Sequence, residues 1–142
     1  VISSKNGQIY VFGSTQTIES GLLSAFNSGG YVTATPALGD VDGDGYDDIV
    51  FGQYGGPERI YATNLDGENI DGFPIELDEK VQRGVALADF NGTGKDDIVV
   101  GTDNDNLHLI YDDGTTAPGF PYTTGDKIQA APSIARPTQF LT

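Results

Sequence analysis

The sequence contains no cysteine, one histidine and no long apolar run, and each shortage narrows what the protein can be. Without cysteine the chain cannot form a disulfide framework. His108 is the sole histidine, so no pair of imidazoles is available for a transition-metal site and we expect a structural role for it. No apolar run approaches the ~20 residues of a membrane-spanning helix. We therefore expect no insertion into a membrane.

Basic residues are also scarce, with 7 lysines and arginines against 21 acidic residues and a formal net charge of −14. Nucleic acid and anionic membranes would repel such a chain, so we expect neither as a partner. The sequence has no recognisable nucleophile motif and no phosphate-binding glycine loop leading into a helix. Binding is therefore favoured over catalysis, and we assign no catalytic residues. A glycosidase-like pair of carboxylates stays open.

Turn-forming residues are abundant, with 20 glycines and 7 prolines in 142 residues. Between them lie short segments rich in β-branched, aromatic and aliphatic residues, and no stretch shows helical periodicity. Asn6-Gly7 is a typical hairpin dipeptide because both residues tolerate positive φ. This pattern predicts strands at residues 1–2, 8–12, 22–26, 31–38, 48–51, 59–62, 73–77, 84–88, 98–101, 107–111, 120–122 and 131–135.

The order of these segments repeats along the chain. Asp40 and Asp89 each open a short acidic loop, lie 49 residues apart and precede the same series of strand and turn signals. The sequence thus divides into units of about 48 residues with four short strands each. We predict full units at residues 31–79 and 80–124, the late strands of a preceding unit at residues 1–30, and the first strand of a further unit at residues 125–142.

A repeated four-stranded antiparallel unit of this length is typical of a β-propeller blade, so we predict an all-β fold built of such blades. A β-sandwich also uses many short strands, but it would not produce sequence similarity at a fixed period. About three blades are present, whereas a closed propeller takes about four to eight. We expect a longer parent chain or several copies to complete the ring, with late strands at one end pairing with the first strand at the other.

Residues 40–48 place acidic side chains at loop positions 1, 3, 5 and 9 and leave a backbone carbonyl at position 7. This spacing suits a hard cation that prefers six to eight oxygen ligands, and Gly43 and Gly45 allow the sharp turn. The alternative is a solvated turn whose acids cap their own backbone, but four clustered acids would repel one another without a cation. Residues 89–97 repeat the pattern more weakly, and there a metal-free turn competes more closely.

Residues 35–52 resemble an FG-GAP or VCBS-type repeat, the blade unit of integrin-α-like β-propellers, in the Thr-Pro-Ala-Leu-Gly lead, the acidic loop and the Ile-Val-Phe-Gly that follows. Residues 84–101 are similar, and residues 72–74 and 119–121 resemble the Gly-Phe-Pro turns of bacterial members. The resemblance implies calcium in both loops. Its implied ligands are the side chains of Asp40, Asp42, Asp44 and Asp48 with the Tyr46 carbonyl, and those of Asp89, Asn91, Thr93 and Asp97 with the Lys95 carbonyl.

The two loops are expected to differ in calcium affinity. The second loop brings two carboxylates to the ion instead of four, so we expect residues 40–48 to bind calcium more tightly. Asp47 and Asp96, at position 8 of each loop, are expected to point away from the ion and to act as outer charge. Residues 103–106 also carry Asp and Asn, but no carboxylate follows at the required position, which favours a hairpin turn.

The tyrosines separate into two groups by their position in the sequence. One group recurs in matching strands and is expected to pack within the blades: Tyr10, Tyr61 and Tyr111. The other group lies near loops and offers the better contacts for a ligand: Tyr31, Tyr46, Tyr54 and Tyr122.

These features favour an extracellular or cell-surface module, with the bacterial periplasm also open, in which calcium is structural. Millimolar calcium outside cells would fill modest sites that cytosolic calcium leaves empty. The module would serve binding, adhesion or scaffolding toward a protein or carbohydrate ligand. Two alternatives stay open. One is a propeller domain of a secreted polysaccharide lyase or hydrolase, which the resemblance admits. The other is a structural protein that self-assembles through open propeller units, for example as a homo-oligomer.

Overall fold

The computed structural model describes residues 1–13 and 21–135, and their regular structure is almost wholly antiparallel β-sheet. The strands are β1 (Ile2–Ser3), β2 (Gln8–Phe12), β3 (Leu22–Asn27), β4 (Ala37–Gly39), β5 (Asp48–Gly52), β6 (Arg59–Thr63), β7 (Ile75–Glu76), β8 (Ala86–Ala88), β9 (Asp97–Gly101), β10 (Asn106–Ile110) and β11 (Tyr122–Thr123). They form three sheets in which each strand pairs with its neighbours in sequence. We name these sheets unit 1 (β1–β3), unit 2 (β4–β7) and unit 3 (β8–β11).

This arrangement confirms the predicted all-β fold of propeller-type blades. Units 2 and 3 are four-stranded meanders, and unit 1 has three strands among the described residues. The three sheets do not close into a ring. In the part of the chain that the structure describes, no helix is both long and apolar enough to cross a membrane.

The second strand of each full unit is deeply buried. All five residues of β5 are buried, because this strand lies between two neighbouring units. Ile49 and Phe51 belong to a cluster with Ile9 of unit 1, whereas Val50 belongs to a cluster with Val100 of unit 3. Successive side chains of a strand point to opposite faces, so both faces of β5 are apolar.

Each unit therefore has a forward face, which packs on the next unit, and a backward face, which packs on the previous one. The forward face of unit 2 includes Val41, Val50, Ile60, Ala62 and Phe73, which share one buried cluster with Ile98, Val100 and Ile110 of unit 3. Burial of apolar surface between units is thus what holds neighbouring sheets together.

Units 2 and 3 share one strand register, which identifies equivalent residues. Phe51 lies opposite Tyr61, and Val100 lies opposite His108. His108 therefore occupies the position of Tyr61, and the prediction that Tyr111 recurs there is wrong. The reason is that the connection between β9 and β10 is shorter than that between β5 and β6. Tyr10, opposite Ile2 in unit 1, does match Tyr61.

Four predicted strands are shorter in the structure and one is absent. Residues 73–77, 84–88 and 120–122 are reduced to Ile75–Glu76, Ala86–Ala88 and Tyr122–Thr123. The strand predicted at residues 31–38 is reduced to Ala37–Gly39, while Tyr31 makes an isolated bridge with Gly55. Pro36 interrupts this stretch because it has no N–H to donate to a ladder. Residues 131–135 form no strand, since a ladder needs a neighbour and no described residue pairs with them. Pro132 removes a further donor there.

Gly52, at the end of β5, has no room for a side chain. A Cβ at this position would lie 2.7 Å from three side-chain atoms of Val81. Val81 is fully buried in the linker between units 2 and 3, and its N–H donates to the Gln53 carbonyl at 3.0 Å. The linker therefore packs directly against the glycine.

We predict that Gly52→Ala lowers the free energy of unfolding by about 1–3 kcal/mol, because the added methyl group overpacks the junction. Gly13→Ala is the matched control, since its Cβ would meet Leu23 at an ordinary 3.4 Å, and we expect a change below about 0.5 kcal/mol there. Urea unfolding of both variants measures the difference. Equal effects would contradict a tightly packed linker at Gly52.

Candidate metal-binding loops

The two acidic loops connect the first and second strands of units 2 and 3, and they lie at the same end of the sheets. Residues 40–47 join β4 to β5, and residues 89–96 join β8 to β9. Gly43 and Gly45 adopt φ values of 81° and 89°, as the sharp turn requires. Gly92 and Gly94 adopt 77° and 82° in the second loop. The backbones of the two loops therefore follow the same course.

The first loop gathers three carboxylates around one point. Ligand oxygens of Asp40, Asp42 and Asp48 all lie within 4.8 Å of one another. Calcium binds oxygen at about 2.3–2.6 Å, so two oxygens on one ion lie at most about 5 Å apart. The three predicted ligands thus fit a single divalent cation in both chemistry and spacing.

Backbone N–H groups hold these carboxylates in place. Asp40 accepts hydrogen bonds from Gly43 at 2.7 Å and from Gly45 at 3.0 Å. Asp48 accepts through Oδ2 from the N–H groups of Val41 at 2.9 Å and Asp42 at 3.3 Å. A carboxylate oxygen has lone pairs enough to accept an N–H and still bind a cation. The loop is therefore shaped by its own hydrogen bonds.

Asp48 is the buried member of the cluster, and its environment disfavours a negative charge. Burial raises the pKa of Asp48, and the nearby charges of Asp42 and Asp44 raise it further against the opposing hydrogen bond from Val41. A cation beside Asp48 would reverse this effect, because an opposite charge stabilises the ionised form.

Asp44 and Tyr46 lie outside the three-carboxylate cluster. Asp44 is exposed and accepts a hydrogen bond from the Tyr46 N–H at 2.8 Å. Tyr46 leaves 77% of its surface exposed. Their roles as ligands therefore stay predictions, and so does the outward position of Asp47, which is exposed.

The second loop repeats the same backbone-to-carboxylate hydrogen bonds. Asp89 accepts from Gly92 at 2.7 Å and from Gly94 at 2.8 Å, and the Gly94 N–H is the main cause that lowers the pKa of Asp89. Asp97 accepts from the Phe90 N–H at 2.8 Å. Burial raises the pKa of Asp97, as it does for Asp48. Lys95 contributes only its carbonyl to the predicted ligand set.

Asp112 closes the second loop, and the sequence analysis missed it. Its N–H donates to Asp97 Oδ1 at 2.8 Å, and its Oδ2 accepts from Thr93 Oγ1 at 3.0 Å and from Asn91 Nδ2 at 3.2 Å. Lys95 Nζ lies 4.0 Å from the other carboxylate oxygen. The signal was present as Asp112-Asp113-Gly114, but it indicated only a turn, because the pairing of the turn with the loop depends on the fold.

The first loop has no such closure. Leu65 occupies the position of Asp112 in unit 2, and no described residue donates a hydrogen bond to Asp48 Oδ1. Within the described residues, the only group of three acidic ligands at metal-binding spacing is Asp40, Asp42 and Asp48. The first loop thus keeps carboxylate oxygens available for a cation, while the second loop satisfies several of its oxygens internally.

Asp96 links the two loops through hydrogen bonds, a contact that its predicted role as outer charge did not include. Its Oδ2 accepts from the Asp40 N–H at 3.0 Å, and its own N–H donates to the Asp40 carbonyl at 2.8 Å. Gly39 leaves space for this contact, since a Cβ there would lie 2.5 Å from Asp96 Oδ2. The candidate ligand Asp40 is therefore anchored by the neighbouring unit.

A separate polar cluster lies at the junction of units 2 and 3. Glu79 accepts hydrogen bonds from Thr102 Oγ1 at 2.6 Å and Asn106 Nδ2 at 2.8 Å, and His108 Nε2 lies 2.9 Å from Glu79 Oε2. Burial acts to raise the pKa of Glu79, but the hydrogen bonds from Thr102, His108 and Asn106 outweigh it and lower the pKa. The cluster ties the linker at Glu79 to unit 3.

We predict that Glu79→Gln lowers the free energy of unfolding at neutral pH by about 1–3 kcal/mol, because charge-assisted hydrogen bonds are lost. A carboxylate whose pKa is lowered on folding contributes stability above its unfolded pKa and loses it as the pH falls through the folded pKa. The difference from the native chain should therefore shrink in acid, below the ordinary glutamate pKa of 4.5.

Urea unfolding at both pH values measures this difference. Glu76→Gln is the control, since Glu76 pairs with Arg59 at the surface and such pairs contribute about 0–1 kcal/mol. A Glu79→Gln effect that stays constant into acid would contradict the assignment.

The fold and the paired loops define a β-propeller-type repeat protein. Residues 32–68 match the family model described as FG-GAP repeat. The chain thus contains an FG-GAP repeat, which spans β4, the first acidic loop, β5 and β6. A search of curated proteins found no match.

Proposed function

We propose that the chain is a calcium-stabilised β-propeller module that acts outside the cell in binding, adhesion or scaffolding. The observation that carries the proposal is the clustering of Asp40, Asp42 and Asp48 within 4.8 Å. The FG-GAP match over the same loop supports it, because such repeats are typical of extracellular proteins. Extracellular calcium is also concentrated enough to fill sites of modest affinity.

Calcium has a structural role in this proposal. Asp40 follows β4 directly and Asp48 is the first residue of β5, so one ion held by both would join the two strands. The same ion would offset the cost of a buried, charged Asp48 and the repulsion among the clustered acids. A ligand that binds only the folded state adds its binding free energy to stability. Folding and calcium binding are therefore coupled.

The proposal predicts a melting temperature that rises with calcium and falls in excess chelator. Asp42→Asn should reduce the calcium-dependent shift, because it removes one carboxylate but keeps the oxygen that accepts the Asp44 N–H at 3.0 Å. Asp47→Asn is the matched control, since it removes the same charge from an exposed neighbour. Asn91→Asp in the second loop should increase the shift. Differential scanning fluorimetry measures all three.

A melting curve that calcium and chelator leave unchanged would overturn the proposal. Equal losses from Asp42→Asn and Asp47→Asn would assign any calcium effect to net charge and not to a defined site.

Self-assembly is a second candidate function, favoured by the forward face of unit 3. An open groove of about 300 Å³ on this face is lined by apolar residues that include Phe90, Val99, Leu107, Leu109 and Phe120. By register these correspond to the forward-face residues of unit 2, which unit 3 buries. Ser133, Ile134 and Ala135 line the rest of the groove, but no four-stranded unit of the described residues covers this face of unit 3.

A second copy of the chain would supply a matching surface. Forward faces pack on backward faces at both internal junctions, and the backward face of unit 1 carries Ile2 at the position of the buried Phe51. Ile2 is 57% exposed. Head-to-tail packing of this kind joins different surfaces, so it produces either a closed ring or an open chain of subunits.

We predict that the chain self-associates at micromolar concentration and that Leu107→Lys shifts it toward monomer, because a charge on the forward face opposes burial. Leu65→Lys is the control, since Leu65 is an exposed leucine outside this face. Light scattering after size-exclusion chromatography gives the molar mass of each. A native chain that is monomeric throughout would exclude this second function.

A further inference from the structure

The end of the sheets opposite the acidic loops carries three adjoining grooves. Their volumes are about 400, 500 and 230 Å³. The first two share Asn6 and Tyr31, and the last two share Tyr54, so they form one continuous surface. We name this surface, centred on Tyr31 and Tyr54, the tyrosine groove. It crosses the junction between units 1 and 2 and reaches the linker into unit 3.

The tyrosine groove has no acidic lining, although the chain is strongly acidic. Among the described residues, no Asp or Glu side chain lines any of its three parts, while 21 of the 142 residues are acidic. Two of the seven basic residues, Lys5 and Arg83, do line it. A third, Lys80, places Nζ 5.2 Å from the centroid of the Tyr54 ring. Three of the seven basic residues thus lie at or beside this surface.

Backbone hydrogen bonds hold the two segments that carry these tyrosines. The Tyr31 N–H donates to the Gly55 carbonyl at 2.8 Å, and the Tyr54 N–H donates to the Tyr31 carbonyl at 2.8 Å. The Tyr31 ring lies against Gly55, where a Cβ would come within 2.9 Å of Cδ2. Even so, 56% of Tyr31 is exposed. A fixed and exposed aromatic ring offers an apolar face beside a polar hydroxyl.

The remaining lining is rich in amide and hydroxyl groups. Asn6 and Asn27 line one end, and Thr33 and Gln82 line the other. Amides both donate and accept hydrogen bonds, which suits the hydroxyl groups of a sugar. Gln82 is held by donating to Asp103 Oδ2 at 2.9 Å, which places one carboxylate behind the groove without lining it.

We propose that the tyrosine groove binds a polysaccharide that carries carboxylate groups, such as a chain of uronate sugars. Sugar rings would lie on Tyr31 and Tyr54, and carboxylates would approach Lys5 and Arg83. The inference rests on the proposed function as a binding module and names its ligand class. The acidic loops lie at the other end of the sheets, and their repulsion is screened over about 8 Å at physiological ionic strength.

The test uses isothermal titration with polygalacturonate oligomers and, for comparison, a neutral galactan. The native chain should bind polygalacturonate and not galactan, with affinity that falls as salt is raised. Tyr31→Ala and Lys5→Ala should each weaken binding by about tenfold, as truncation of a central contact does. The matched controls are Tyr122→Ala, an exposed tyrosine elsewhere, and Arg59→Ala, a base paired with Glu76 outside the groove. Both should bind like the native chain.

Three results would overturn the proposal: no binding of polygalacturonate, equal losses from the control variants, or equal binding of poly-glutamate, which would assign recognition to charge alone. Lys5 is exposed, so Lys5→Ala tests the groove even if Tyr31→Ala disturbs folding. Calcium-dependent melting is recorded on the same samples. Calcium stabilisation without polygalacturonate binding rejects the groove alone, whereas Tyr31-dependent binding without a calcium effect rejects the calcium site alone.

Discussion

The structure depends above all on the burial of the second strand of each full unit between two neighbouring sheets. In β5, Ile49 and Phe51 pack toward unit 1 while Val50 packs toward unit 3. A strand with two apolar faces cannot be stable in an isolated unit, because one of those faces would be exposed to water. The fold therefore requires neighbouring units. The position of the strand between them determines which groups meet at its two ends.

The candidate metal-binding loops lie at one end of these second strands. Asp48 and Asp97 are the first residues of β5 and β9, and burial of these strands takes both carboxylates out of water. Each is held by backbone N–H groups of its own loop. Asp96 then joins the second loop to Asp40 of the first. Packing of the units thus positions the acidic groups, and the loops in turn connect the units.

At the other end of the same strands the surface has a different character. The tyrosine groove is formed by the linkers between units and by the turns that follow the second strands. Among the described residues, no acidic side chain lines it. Tyr54 follows Gln53, whose amide donates to the Ser28 carbonyl at 3.0 Å. At the next junction, Thr102 and His108 hold Glu79 in the same way. Equivalent positions thus tie each linker to the following unit, with different chemistry.

The sequence by itself determined the repeat, the all-β fold and the grouping of Asp40, Asp42 and Asp48 in one loop. The repeat period, the alternation of apolar residues in strands and the spacing of acids in a loop are all local properties of the chain. It also placed Tyr31 and Tyr54 near loops, among four tyrosines predicted as the better ligand contacts. Only the tertiary structure decided that Asp112 closes the second loop, that Asp96 links two units, that His108 replaces Tyr61 and that Lys5, Tyr31, Tyr54 and Arg83 share one groove. These residues lie far apart in sequence, and their contacts depend on strand register and on packing between units, which no local pattern encodes.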